Sequence, residues 1–196
     1  DALATEVRPL GWIAFAARSE RGDWDIFACR PDGSDKRNLT NSPDTNEGYP
    51  LLSRDGKKLL WRRIPRGENF DGNHHGAQGV LVIADSDGTH ARELGGDGEL
   101  PWASWSPDGT QIATLAVKGI SIVDVATGKV VRTMKRNGFF QQLTWSPDGK
   151  WFSGVSNGFG ASWQDARMNV ETGEANAVSL EDCCTPDWFP DSRHFI

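Results

Sequence analysis

Only three cysteines, Cys29, Cys183 and Cys184, occur in the 196 residues. An odd count leaves at least one thiol outside any intrachain bridge, and the spacing matches no zinc or haem motif, so no metal centre is expected. Long apolar runs are also missing: the longest, Gly79 to Ala84 and Gly119 to Val125, are strand-sized and far short of the ~20 residues a membrane-spanning helix needs. No segment keeps a helical period, and 22 glycines with 10 prolines interrupt the chain too often for long helices. Positive charge is in deficit. A net charge of −6 and a pI near 5.2 exclude a general affinity for nucleic acid, which needs a concentrated basic surface.

What remains is an all-β globular chain. Hydrophobic residues make up 37% and charged residues 24%, the balance of a soluble domain rather than a disordered one. The length suits one all-β domain.

Internal repetition organises it. Four related segments recur: Leu52-Ser53-Arg54-Asp55-Gly56, Trp105-Ser106-Pro107-Asp108-Gly109, Trp145-Ser146-Pro147-Asp148-Gly149 and Trp188-Phe189-Pro190-Asp191-Ser192. From Asp to Asp the intervals are 53, 40 and 43 residues. A second series, Asp32-Gly33, Asp87-Gly88, Thr127-Gly128 and Thr172-Gly173, runs out of phase at intervals of 55, 40 and 45. Each turn of this second series follows a short run rich in β-branched and apolar residues, such as Val80 to Ala84, which reads as a strand. Pro presets φ, Asp bonds nearby backbone and Gly accepts positive φ, so each is a hairpin turn. The unit is strand, Ser-Pro-Asp-Gly turn, strand, variable loop, strand, Asp-Gly or Thr-Gly turn, strand. Four antiparallel strands in roughly forty residues have the dimensions of one propeller blade. A β-sandwich has no reason to repeat one turn at that period.

Trp-Ser-Pro-Asp-Gly followed by Lys or Thr, two residues and an apolar strand resembles the PD40 (WD40-like) repeat of TolB-like propellers. The Asn38-Leu39-Thr40 close of the first unit, after Lys36 and Arg37, is similar to that family's blade ending. Asn38-Leu39-Thr40 is also an N-glycosylation pattern, but it is read here as the blade close. The resemblance implies a β-propeller with blades at about 11–40, 49–95, 102–135 and 141–180 in a single domain, 1–196, and a further strand pair starting at 185–196. Arg54 in place of Pro and Ser192 in place of Gly depart from the pattern. The first unit opens on its second strand, Trp12 to Ala16, and the last reaches Phe195-Ile196 just inside its second strand. Two readings stay open: a piece of a longer propeller, or a small four-bladed ring in which Pro186 to Asp191 supplies the first strand of blade one.

The repeat residues Asp55, Trp105, Asp108, Trp145, Asp148, Trp188 and Asp191 are read as structural, with the tryptophans packing between blades. Trp12, Trp24, Trp102, Trp151 and Trp163 lie outside that register, and any that are exposed are candidates for partner contact. The long loop of blade two, Arg62 to Gly79, inserts residues where other blades turn quickly. Its Arg62, Arg63, Arg66, Glu68, Asp71, Asn73, His74 and His75 make it either a binding feature carried by a rigid scaffold or a disordered polar insertion. The arginines alone read as a solvated loop rather than an anion site. Adjacent histidines rarely bind one metal without other ligands. Asp44, Asn46 and Glu47, and Asp85 with Asp87, lack EF-hand spacing and read as turn acids. Cys29 either bridges to Cys183 or Cys184 in an oxidising compartment, or all three are buried thiols.

Gly154-Val155-Ser156-Asn157-Gly158 matches the G-x-S-x-G hydrolase pattern, but it lies in a hairpin region and only His194 follows it; no catalytic residue is expected. The resemblance implies a non-catalytic, exported bacterial module, periplasmic, without cofactor or direct membrane span, docking on another protein or an envelope complex. Two alternatives are the propeller part of a prolyl-oligopeptidase-type peptidase and a propeller binding a sugar or other small ligand in its channel.

Overall fold

The computed structural model describes residues 2–67, 79–94, 102–116, 119–178 and 186–194. They fall into two compact units, Asp1–Gly98 and Glu99–Ile196. Apart from a short helix, Ala2–Val7, and a 3-10 turn, Arg8–Leu10, every element is a strand.

The first unit holds two sheets. Blade one is a three-stranded antiparallel meander, β1 (Ile13–Arg18), β2 (Trp24–Cys29) and β3 (Arg37–Asn38). It opens on what would be the second strand of a full unit. Blade two has four strands, β4 (Thr45–Leu52), β5 (Lys58–Pro65), β6 (Val80–Asp85) and β7 (Arg92–Leu94). The second unit holds blade three, β8 (Ser104–Trp105), β9 (Gln111–Ala116), β10 (Gly119–Asp124) and β11 (Val130–Met134), and blade four, β12 (Phe139–Trp145), β13 (Trp151–Ser156), β14 (Gln164–Asn169) and β15 (Ala175–Ala177).

Each unit is held by apolar residues of its two blades. Ile26 of blade one packs with Leu59, Trp61, Val82 and Ala84 of blade two. In the second unit Leu115, Ile120, Ile122 and Met134 of blade three meet Phe139, Leu143, Phe152 and Met168 of blade four. The middle strands are buried on both faces, as in Leu59 to Trp61 or Phe152 to Ser156, so they read as continuous apolar or small runs rather than as an alternation. Burying each large side chain contributes about 1.5–3 kcal/mol. Trp61, which belongs to no turn register, is the largest fully buried side chain.

The first turn series has one geometry in all four copies. The amide of Ser53, Ser106 or Ser146 donates to the carbonyl five residues on, at 2.8–2.9 Å, and the glycine amide donates back to the serine carbonyl at 2.9 Å. Each serine hydroxyl donates to the following Asp at 2.6–2.7 Å and accepts from the amide that opens the next strand at 2.9 Å. In the fourth copy Phe189 stands in the serine position, and the same backbone bonds form with His194 and Ser192. There His194 replaces the missing hydroxyl, its Nδ1 lying 2.6 Å from Asp191. Ser192 takes the glycine position at φ +58°, a left-handed conformation that glycine adopts more cheaply.

These acids titrate low. The Ser53 hydroxyl holds Asp55 below the ordinary carboxylate range, and the Ser106 hydroxyl does the same for Asp108. The Arg193 amide, with His194, brings Asp191 down to about 2. A depressed folded-state pKa adds stability that is complete above the unfolded value, about 3.9, and is lost as pH falls through the folded value. Thermal melts should therefore lose stability only below about pH 4 on this account, and Asp108→Asn should reduce the loss; a melting temperature that rises from pH 5 to pH 3 would contradict it.

The inner strands carry a feature with no sequence signal. Tyr49, Trp102 and Gln142 each stand three residues before the Leu52, Trp105 or Trp145 that leads into the turn, and their φ values are +56°, +54° and +55°. In β4 and β12 this position falls in a register shift, between Gly48 and Leu51 and between Gln141 and Thr144. Such a bulge lets one residue leave the ladder and turn its side chain elsewhere, at a cost of about 1–3 kcal/mol for non-glycine residues.

Candidate functional site

The arginine-rich segment of blade two is strand rather than solvated loop. Arg62 and Arg63 lie within β5, paired with Leu81 and Val80 of β6. Arg62 is only 3% exposed; one guanidinium nitrogen reaches the Gly79 carbonyl at 3.4 Å and the other has no partner among the described residues. Burial lowers its pKa to about 10. Arg63 lies 3.7 Å from both Glu47 and Glu93. Arg66, although exposed, donates to the carbonyls of Pro43 at 2.7 Å and Arg21 at 3.0 Å. Glu68, Asp71, Asn73, His74 and His75 lie outside the described residues.

A buried polar network surrounds the start of this segment. The Asp25 carboxylate, fully buried, accepts from Asn38 Nδ2 at 2.6 Å, Thr40 Oγ1 at 3.2 Å, the Ser42 amide at 3.1 Å and Arg21 at 3.3 Å. The Asn38-Leu39-Thr40 motif thus closes blade one, its Asn amide bonded inward. Asp23 accepts from the Ser19 hydroxyl and from Arg21, and both hold its pKa down, Ser19 the more strongly. Asn46 accepts from the Trp24 amide at 3.0 Å. Glu47 accepts from Thr45 Oγ1 at 2.6 Å. Burial, reinforced by the Asp25 charge, pushes the Glu47 carboxyl up. These bonds tie the loops at 19–23 and 39–44 to the end of β5; the network is architectural.

Asp85 bridges Lys58 at 2.6 Å and His90 at 2.7 Å, and Asp87 accepts from Thr89. Among the described residues no group of three or more His, Cys, Asp and Glu is placed to hold a metal ion. Cys29 is half-buried at the end of β2; Cys183 and Cys184, and with them the bridge, lie outside the described residues. Ser156 of the G-x-S-x-G pattern is fully buried at the end of β13. Its hydroxyl donates to the Asn137 carbonyl at 2.9 Å and accepts from the Gly158 amide at 3.0 Å. A loop, not a helix, follows it.

Of nine tryptophans one is exposed. Trp163, outside the repeat register, is 40% accessible, whereas Trp61 and Trp105 are buried and the others half-buried. Trp24, Trp151 and Trp12 are covered by arginine guanidinium groups: Arg18, Arg167, and both Arg30 and Arg37. Trp163 instead stands perpendicular to Phe140, with ring centroids 5.1 Å apart, the edge-to-face arrangement that aromatic quadrupoles favour. The two rings border an open depression that Asn157, Gly160, Ala161 and Ser162 complete.

The loop that presents Trp163 is held at several points. Phe159 packs against the core of the second unit. Ser156 bonds the loop to Asn137, and Gln164 Oε1 accepts from the Ala161 amide at 3.3 Å. Gly138 and Gly158 press backbone to backbone: a Cβ on Gly138 would lie 2.4 Å from the Gly158 nitrogen. An aromatic side chain on a fixed loop loses little entropy on binding, which is why such residues recur at interface hot spots.

The architecture is shared with solved structures at low identity. TolB from Acinetobacter baumannii matches with a TM-score of 0.74 and 21% identity, over 94% of this chain and 46% of its own. An oligogalacturonate lyase in complex with manganese matches at 0.65 and 15%, over 88% of this chain and 50% of its own. A puromycin-hydrolyzing peptidase from Mycobacterium tuberculosis matches at 0.61 and 15%, over 86% and 27%. The chain thus spans half or less of the length of these relatives. No family model and no curated protein matches it. Among the described residues no helix is long and apolar enough to cross a membrane. Four antiparallel blades, the recurrent Asp turns and the likeness to TolB together give the conclusion that this chain has the TolB-like β-propeller fold.

Proposed function

We propose that this chain is a non-catalytic protein-binding propeller, working in the bacterial periplasm as a module or accessory subunit on an envelope or membrane complex. The observation that carries the proposal is Trp163: the one exposed tryptophan, paired with Phe140 on a loop fixed from both sides. Fold likeness to TolB supports a binding role and an exported location. Engagement of the Ser156 hydroxyl by backbone groups supports the absence of acyl-transfer chemistry.

The test is capture of a stoichiometric companion from a native envelope fraction in mild detergent, with wild-type chain and with Trp163→Ala. Truncating a central aromatic anchor costs about 2 kcal/mol or more, hence roughly thirtyfold in affinity. Loss of the companion in the variant, with an unchanged melting temperature, is the expected result. Equal capture by both proteins would place the interface elsewhere and refute the assignment.

A further inference from the structure

One buried carboxyl in the seam between blades one and two is short of partners. Glu47 lies in β4, opposite Arg63 of β5 and two residues before the left-handed Tyr49, and it is 0% exposed. Its Oε1 accepts from Thr45 Oγ1 at 2.6 Å. Its Oε2 has no partner among the described residues. The Ser42 hydroxyl stands nearby, but it donates to the Thr40 carbonyl at 3.3 Å. Arg63 is 3.7 Å away, beyond hydrogen-bond reach, and divides its charge between Glu47 and Glu93 of β7.

The acids beside it are far better served. Asp25 of β2 accepts from Asn38, Thr40, the Ser42 amide and Arg21. Asp23, 1% exposed, accepts from Ser19 and Arg21. Two further charged groups bound the cluster, Asp44 and Arg66, and both are exposed; Arg66 donates to the Pro43 and Arg21 carbonyls. A buried carboxylate is held as an anion by the hydrogen bonds it accepts, and without them it takes up a proton instead. Of the three buried acids, the hydrogen bonds leave Glu47 as the one that holds a proton.

We propose that this seam is a pH-sensitive latch, closed while Glu47 carries a proton on Oε2 and loosened when that proton leaves to water. Its loss places a second buried negative charge beside Asp25. The strain falls on the bonds that close the seam, from the Trp24 amide to Asn46 Oδ1 at 3.0 Å and from the Ser42 amide to Asp25 at 3.1 Å. Burial first, and then the Asp25 charge, hold the Glu47 carboxyl above its ordinary range against the pull of the Thr45 bond. A raised folded-state value gives stability that is complete below the unfolded value, about 4.3, and is lost as pH rises through the folded one. The Asp turns act in the opposite sense and are complete above about pH 4, so between pH 5 and pH 9 they add little slope.

Glu47→Gln keeps the shape and the neutrality of the closed state at every pH. The test is a thermal melt of parent and variant at pH 5 and at pH 8.5, with hydrogen exchange read by mass spectrometry at the same two values. The variant is expected to melt within about 1 °C of the parent at pH 5 and at least about 3 °C above it at pH 8.5. In the parent, exchange at the Trp24 and Ser42 amides, corrected for the intrinsic base-catalysed rate, should quicken at least about threefold between the two values. It should not do so in the variant, and β13 of blade four should keep its protection in both. The same difference in melting temperature at both pH values would make Glu47 a packing residue, and exchange that quickens as much in β13 as at Trp24 would make the loosening global; either overturns the latch. Should the variant fail to fold, the parent's exchange decides: protection at Trp24 and Ser42 that is independent of pH overturns it equally.

Discussion

Trp61→Ala is expected to lower the unfolding free energy by about 3–5 kcal/mol, whereas Trp61→Phe should stay within about 1 kcal/mol of the parent. The indole is 1% exposed and packs with Ile26 of blade one and Val82 of blade two. Removing it empties the seam between two blades. Its Nε1–H has no partner among the described residues, and an orphaned buried donor costs about 1–3 kcal/mol. Phenylalanine discards that donor while keeping most of the apolar volume, so gain and loss nearly cancel. Urea unfolding of the two variants measures this directly. A phenylalanine variant as unstable as the alanine variant would mean that the indole nitrogen is satisfied and that the packing account is wrong.

Gly138→Ala should destabilise by about 2–4 kcal/mol, and it should do so through a loop rather than a core. Gly138 sits at φ +76°, and an added Cβ would meet the Gly158 nitrogen at 2.4 Å, its Cα at 2.6 Å and Ser156 Oγ at 2.8 Å. Two of those atoms are backbone and cannot rotate away. Relief requires the 157–163 loop to move, and Trp163 moves with it. The variant should therefore also weaken partner capture, more than its fall in stability explains. Gly33→Ala is the control: its φ is +83°, with nothing within 4 Å, so it carries conformational strain without a collision and should cost about 1 kcal/mol. Similar costs at both positions would show that the close approach of the two glycines is not rigid.

The blades were legible because turn chemistry is local. Ser, Asp and Gly at fixed offsets form the same bonds wherever they occur, and the structure repeats them at Asp55, Asp108 and Asp148. Even the divergent copy at Asp191 keeps the backbone pattern. Long-range packing was not legible in the same way. Trp61 has no turn beside it to mark its register, yet it is the most deeply committed tryptophan. Arg62 and Arg63 read as a charge run, but the strand continues through them to Pro65 because Leu59, Trp61 and Ile64 around them are buried. Tyr49, Trp102 and Gln142 share one backbone conformation and no chemistry, so no residue type announces the bulge. For the site, sequence supplied a list of tryptophans outside the repeat; exposure, a tertiary property, selected Trp163 from it.

Photo-crosslinking resolved by position tests the central claim most directly. A photoreactive phenylalanine analogue is placed at Trp163 and, in a separate protein, at Val131, which is 55% exposed on the outer strand of blade three. The account predicts a single crosslinked protein from the Trp163 position in the native envelope and none from Val131. Crosslinks from Val131 to the same protein, with none from Trp163, would contradict it.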